Sequence, residues 1–228
     1  MDKKFLGVLL SIIVVLASVG VVFYGYFTWE KAITPSGEPL DRVLVKVPYG
    51  GRGHKVLLES YITGNPLLDL NLTLRANVYD DLTIIVGDPV LRNCDPRRYG
   101  QACVLRTKTA SEISVTLSPI FTAARYWYYI HKGYSKEEAL AKAQADKDKV
   151  HTTTLAFAQK VKLGLGLIGN KNHLVVILKG PVEGAKTNRI YTPKEGVLVL
   201  EATNEQTLFV EVVALKTIIA SKATSEES

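Results

Sequence analysis

Residues 118–133 read SPIFTAARYWYYIHKG, and here the hydrophobic period of the chain changes. Upstream, apolar residues recur at every second position; within this stretch the spacing is helical. Ser118 followed by Pro119 predicts a helix N-cap and first turn, and Lys132 with Gly133 predicts its end. The next segment, SKEEALAKAQADKDKVHTTTLAFAQKVKLG, opens with a capping box from Ser135 to Glu138. Ala and Leu at helical spacing carry it to Leu163, with a bend expected near Thr152–Thr154. Only Gly133 and Tyr134 separate the two helices, so they predict an αα-hairpin.

Working outward, both flanks read as strands. RVLVKV and KVLLESYI surround the glycine loop PYGGRGH and predict a hairpin. LDLNLTLRANVY alternates with Leu68, Leu70, Leu72 and Leu74 on one face; LTIIVGD and EISVTL follow as strands. After the helices come HLVVILKG, GVLVLEA and TLFVEVVALKTIIA, separated by turn-like TPKEG and TNEQ. Strands, a helical pair, then strands predict an α+β domain. The expected form is a mostly antiparallel sheet with the αα-hairpin inserted on one face. The alternative is a β-sandwich with a helical insertion. A doubly wound α/β layout does not fit, because helices and strands do not alternate.

Residues 5–27, FLGVLLSIIVVLASVGVVFYGYF, hold no charge. As a helix they extend about 34 Å, enough for a bilayer core of roughly 30 Å. Tyr24, Tyr26 and Trp29 fall at the far end, where interfacial aromatics belong. Lys3 and Lys4 precede the run, so the positive-inside rule puts the N-terminus in the cytoplasm and the rest outside. The apolar stretch exceeds that of a cleavable signal, and ASVG is a poor cleavage site. A pilin-like filament subunit, cut before the helix, is a further alternative. The expected organisation is a cytoplasmic tip at 1–4, an anchor at 5–27, a tether at 28–41, an extracytoplasmic domain at 42–220 and a polar tail at 221–228.

The 228 residues carry a net charge of +6, mildly basic and spread along the chain. That favours a protein partner with an acidic surface, or an acidic glycan, over nucleic acid. One Met, two Cys and few Gln is a thermophile tendency.

The two cysteines, Cys94 and Cys103, lie in RNCDPRRYGQACVLRT. Their spacing excludes a C-x-x-C redox motif and the usual zinc ligand spacing. Export makes a disulfide chemically sensible, closing an exposed turn between strands. Arg92, Arg97, Arg98, Arg106 and Lys108 in or beside the loop, with Trp127 on the aromatic helix, are the candidate partner contacts. Arg52, His54 and Lys55 in the glycine loop are the alternative, an anion site. Asn71 heads an N-L-T sequon and is a candidate glycosylation acceptor on the polar face of its strand. GLGLIG at 164–169 matches G-x-G-x-x-G, but a helix precedes it and a strand follows, the reverse of a dinucleotide fold. It is expected to end a helix and turn the chain.

No catalytic constellation, metal site or cofactor motif is recognisable. The leading functional expectation is a membrane-anchored structural or accessory component of a cell-surface or membrane complex. The alternatives are an extracytoplasmic module sensing a small anion, and a subunit of a membrane redox enzyme.

Overall fold

The computed structural model describes residues 3–50, 52–75, 81–88 and 96–225. The chain is α+β, with a seven-stranded mixed sheet. Helix α1 (Lys3–Ile33) leads into strands β1 (Asp41–Tyr49) and β2 (Arg52–Ser60), which form the expected hairpin. Then come α2 (Pro66–Arg75), β3 (Asp81–Ile85), α3 (Pro96–His131), α4 (Lys136–Ala145), β4 (Val150–Thr153) and α5 (Phe157–Gly164). The chain finishes with β5 (His173–Lys179), β6 (Arg189–Lys194), β7 (Val197–Glu201) and α6 (Glu205–Ser225).

The strand order is β1-β2-β6-β7-β5-β3-β4. Strands β4, β3, β5 and β7 are mutually parallel; β6 runs against β7, β2 runs with β6, and β1 runs against β2. Parallel pairing therefore predominates, and the mostly antiparallel expectation is corrected. All these strands join one sheet, which removes the β-sandwich. Helices also cover both faces. Leu174, Val176, Leu178, Leu198 and Leu200 point to a core with α2, α3 and α6. Val175, Ile177, Val197 and Val199 point to a second core with Ile33, Leu155 and Leu163. A strand buried on both faces reads as an unbroken apolar run, as LVVIL and VLVL do.

Three expected strands are helical. In α2 the Asn65 side chain accepts from the backbone N–H groups of Leu67 and Leu68, and Pro66 opens the first turn. Leu70 and Leu74 are buried at helical spacing while Leu68 and Leu72 are exposed, so the leucine alternation is split between two faces. EISVTL lies inside α3, where Ile113, Leu117 and Phe121 repeat every fourth residue into the core. Ser118 and Pro119 are therefore mid-helix, and the real break is Gly100, with φ 59°. TLFVEVVALKTIIA is α6, capped by Asn204, whose side chain accepts from the Thr207 N–H at 2.8 Å.

The long second helix is three elements, α4, β4 and α5. Its predicted start holds: the Ser135 hydroxyl accepts from the Glu138 N–H, and Glu138 accepts from the Ser135 N–H. Arg125 of α3 pairs with Asp146 at the end of α4 and stacks on Tyr128 and Tyr129.

By length and composition Gly7–Ile33 can cross a membrane, and none of its most apolar window is buried. The segment expected to be a tether from residue 28 is helical through Ile33, whose carbonyl accepts from the Tyr191 hydroxyl. α1 crosses α5 at two glycines. A Cβ on Gly164 would lie 1.8 Å from the Gly25 carbonyl oxygen, and one on Gly25 would lie 2.8 Å from the Val161 carbonyl oxygen. Only glycine allows this backbone approach. Gly164 thus belongs to a helix crossing, while Gly166 and Gly169 take positive φ and turn the chain towards β5.

Candidate functional site

The carboxyl ends of β3, β4, β5 and β7 share one end of the sheet, and the turn after β1 lies at the same end. Open sheets with parallel strands bind ligands there, because loops and helix N-termini converge. Two buried ion clusters stiffen this end. The first centres on Arg106, which is 3% exposed. Its Nε and Nη2 donate to Glu205 at 2.7 Å, Nη1 and Nη2 donate to Glu183 at 3.0 and 2.9 Å, and Nη1 also donates to the Val86 carbonyl. Gly87 and Gly180 make room, since a Cβ at either would lie 2.1 or 2.0 Å from the guanidinium. These hydrogen bonds outweigh burial and raise the Arg106 pKa.

The second cluster joins neighbouring strands. Arg189 pairs with Glu59 at 2.7 Å and with Glu201 at 3.2 Å, Arg42 also pairs with Glu59, and Lys179 with Glu201. Burial works to raise the two carboxyls, but their hydrogen-bond donors and cations hold both below the usual range.

Next to this cluster the sheet opens. β2 and β6 keep only two registered pairs, Leu58–Ile190 and Glu59–Tyr191. Beyond them lies a cavity of about 380 Å³ walled by His54 and Lys55 of β2, Asn188 before β6, and Asn204, Gln206 and Glu211 at the start of α6. Glu211 is 1% exposed, and neither carboxylate oxygen has a hydrogen-bond partner among the described residues. Burial pushes its carboxyl well above the ordinary range and the charge of Glu201 adds to this; the Arg189 backbone N–H pulls weakly the other way. Burial thus favours the neutral form of Glu211, in which the carboxyl can donate a hydrogen bond. The Asn188 and Asn204 side-chain oxygens accept from the Thr203 and Thr207 N–H groups. That orients both amides and leaves their NH₂ groups as donors.

Of the residues singled out from sequence, His54 and Lys55 line this cavity, and Arg52 opens β2. Tyr49 lies 6.0 Å from the His54 ring and 5.4 Å from Phe209, and Lys108 sits 4.6 Å above Phe209. The hairpin tip and α3 thus meet across α6. Arg106, expected on an exposed loop, is buried inside the sheet end with its donors occupied, so it presents no surface to a partner. Arg97 and Arg98 fall in the first turn of α3; Arg92 and Cys94 lie outside the described residues. Cys103 is 2% exposed and sits in a helix, not in a turn between strands. Trp127 is 58% exposed beside Tyr126 and His131. Asn71 is half-buried on α2 and Thr73 is fully buried, so the sequon is not on the polar face of a strand. Among the described residues no three His, Cys, Asp or Glu side chains converge as a metal site.

Sequence reasoning missed Asn188, Asn204 and Glu211. The only local signal was one acid inside the apolar run LFVEVVAL. No protein-family model matches the chain, and neither does any curated protein or solved structure.

Proposed function

We propose that the protein is a single-pass membrane protein whose extracytoplasmic domain binds a small anionic ligand in the cavity between β2, β6 and α6. The observation that carries this reading is Glu211, a buried carboxyl in the wall of a polar cavity whose oxygens find no side-chain partner among the described residues. In its neutral form, which burial favours, it donates a hydrogen bond. Lys55 supplies positive charge, the His54 ring lines the wall, and the Asn188 and Asn204 amides add donors. The first turn of α6, beside the cavity, carries the positive end of a helix dipole. A carboxylate, phosphate or sulfate fits this set; a cation would face Lys55.

The proton on Glu211 fixes the pH dependence. An anion favours protonated Glu211, so affinity falls as pH rises through its pKa. The test is calorimetric titration of the full chain in mild detergent with phosphate, sulfate and succinate. Lys55→Gln removes a charged hydrogen bond and weakens binding by about 2 kcal/mol, about thirtyfold. Glu211→Gln keeps binding and loses the pH dependence. No heat with any of the three anions, or unchanged affinity in Lys55→Gln, refutes the reading. We also assign a Cys94–Cys103 disulfide, which the outer compartment favours and which ties the start of α3; intact mass with and without reductant tests it.

A second reading, an accessory subunit of a membrane complex, is favoured by a groove of about 970 Å³ between α3 and α4. Val115, Pro119, Ala123 and Leu140 line it, and the nearby Ser114 and Thr122 hydroxyls bond to carbonyls of their own helix. Its occupant on this reading is an apolar helix of a partner anchored in the same membrane. Purification from the native membrane as a monomer with nothing bound counts against it.

A further inference from the structure

We infer that α5 and the turn after it form a contact surface for acidic phospholipid headgroups of the membrane that α1 enters; this rests on reading α1 as the anchor. The geometry of the crossing carries the inference. Phe157 stacks on Tyr26 at 5.0 Å, Lys160 lies over Tyr26 and Trp29, and Gly164 accepts from the Thr28 hydroxyl. Leu165 and the Val161 carbonyl abut Gly25. These contacts hold α5 against the last turns of α1, at the level where α1 leaves any bilayer that it crosses.

The level is also fixed. Counting back from the crossing, Phe5–Tyr24 gives about 30 Å of uncharged helix, one hydrocarbon thickness. The crossing at Gly25 then stands at the exit from the hydrocarbon, at headgroup depth. The side chains there suit that layer. Phe27 is 73% exposed, Phe157 55% and Leu167 62%. Lys160 is 4.9 Å from the Trp29 ring centroid, and Lys162 is exposed in the last turn. α5 carries two lysines and no acid. Aromatics with lysine stems alongside are the composition of an interfacial helix, and lysines at that depth select anionic lipid.

The test uses the full chain in phosphatidylcholine vesicles with and without phosphatidylglycerol. Spin-labelled unnatural residues are placed at Ala158 and Leu167, with reference labels at Ile12 in α1 and Leu140 in α4. The expected result is loss of access to a water-soluble relaxant at 158 and 167, stronger with phosphatidylglycerol, while 140 stays accessible. Lys160→Gln with Lys162→Gln abolishes the lipid-dependent part. If 158 and 167 are as accessible as 140 while Ile12 is lipid-buried, the inference is overturned. Equal protection in neutral and acidic vesicles overturns the headgroup assignment. A water-accessible Ile12 overturns the anchor itself, a separate failure.

Discussion

Replacing Arg106 with Ala is the sharpest test of how the strand ends are held. The guanidinium makes five hydrogen bonds, two to each of two carboxylates and one to a carbonyl. Glu183 and Glu205 are 7% and 5% exposed. Removing the cation leaves two anions facing each other in a poorly solvated space, which costs about 3–5 kcal/mol. Glu183 retains the N–H groups of Asp88 and Gly180, both at 2.7 Å, so Glu205 bears most of the loss. For a domain of this size that lowers Tm by roughly 6–20 °C. The assay is urea unfolding of the full chain in mild detergent, followed by near-ultraviolet circular dichroism. A combined Arg106→Met, Glu183→Gln and Glu205→Gln variant removes the charges with less change in volume and recovers most of the stability. A loss below about 1 kcal/mol for Arg106→Ala refutes the reasoning, because it means the carboxylates reach water or another cation.

Gly164→Ala improves helix propensity by about 1 kcal/mol but sets a methyl against the Gly25 carbonyl. The expected outcome is a net loss of about 1–3 kcal/mol and a broadened distance distribution between spin labels in α1 and α4; an unchanged distribution contradicts a tight crossing. Asp69 accepts from the Ser60 and Thr63 hydroxyls and from the N–H groups of Tyr61, Ile62 and Thr63. Burial works to raise its pKa, but these donors win and hold it below its ordinary 3.8. Its contribution is complete above the unfolded pKa and lost as pH falls through the folded one, so Asp69→Asn flattens the acid limb of the Tm–pH curve. Glu211 has the opposite sign. Between its ordinary 4.5 and its raised folded value the native state holds the extra proton, so stability declines as pH rises through that window. Glu211→Gln removes the decline, and parallel Tm–pH curves for the two proteins, measured from about pH 5 to 9, disprove it.

The elements legible in the sequence are those with one interpretation. The N-terminal apolar helix, the β1–β2 hairpin, β5, β7 and the Ser135 capping box stand where their patterns put them. The misread elements each satisfied two periods. Leucines at 68, 70, 72 and 74 alternate as a strand does, yet 70 and 74 also stand one helical turn apart. Asn65–Pro66 decides between them, because a capping amide followed by proline starts a helix. β4 was hidden because VHTT is short and polar, as an edge strand with one neighbour often is. The parallel sheet was hidden by the same errors: with α3, α5 and α6 restored, helices do connect and cover the strands.

The candidate site followed the same logic. His54 and Lys55 drew attention because glycines surround them, and apart from Val56 the rest of the wall comes from residues more than 130 positions later. As a strand, TLFVEVVAL puts Glu211 among alternating positions and gives it no special status. As a helix, Leu208, Glu211, Val212 and Leu215 fall at i, i+3, i+4 and i+7, the spacing of one buried face. Leu208, Val212 and Leu215 are 0% exposed, so the acid between them has no route to solvent on its own helix. A carboxyl in that position requires an internal cation, a proton or a bound molecule. The guanidinium of Arg189, whose backbone N–H acts on Glu211, already serves Glu59 and Glu201. Burial favours the proton, and in that neutral form the carboxyl is a donor in the wall of a cavity.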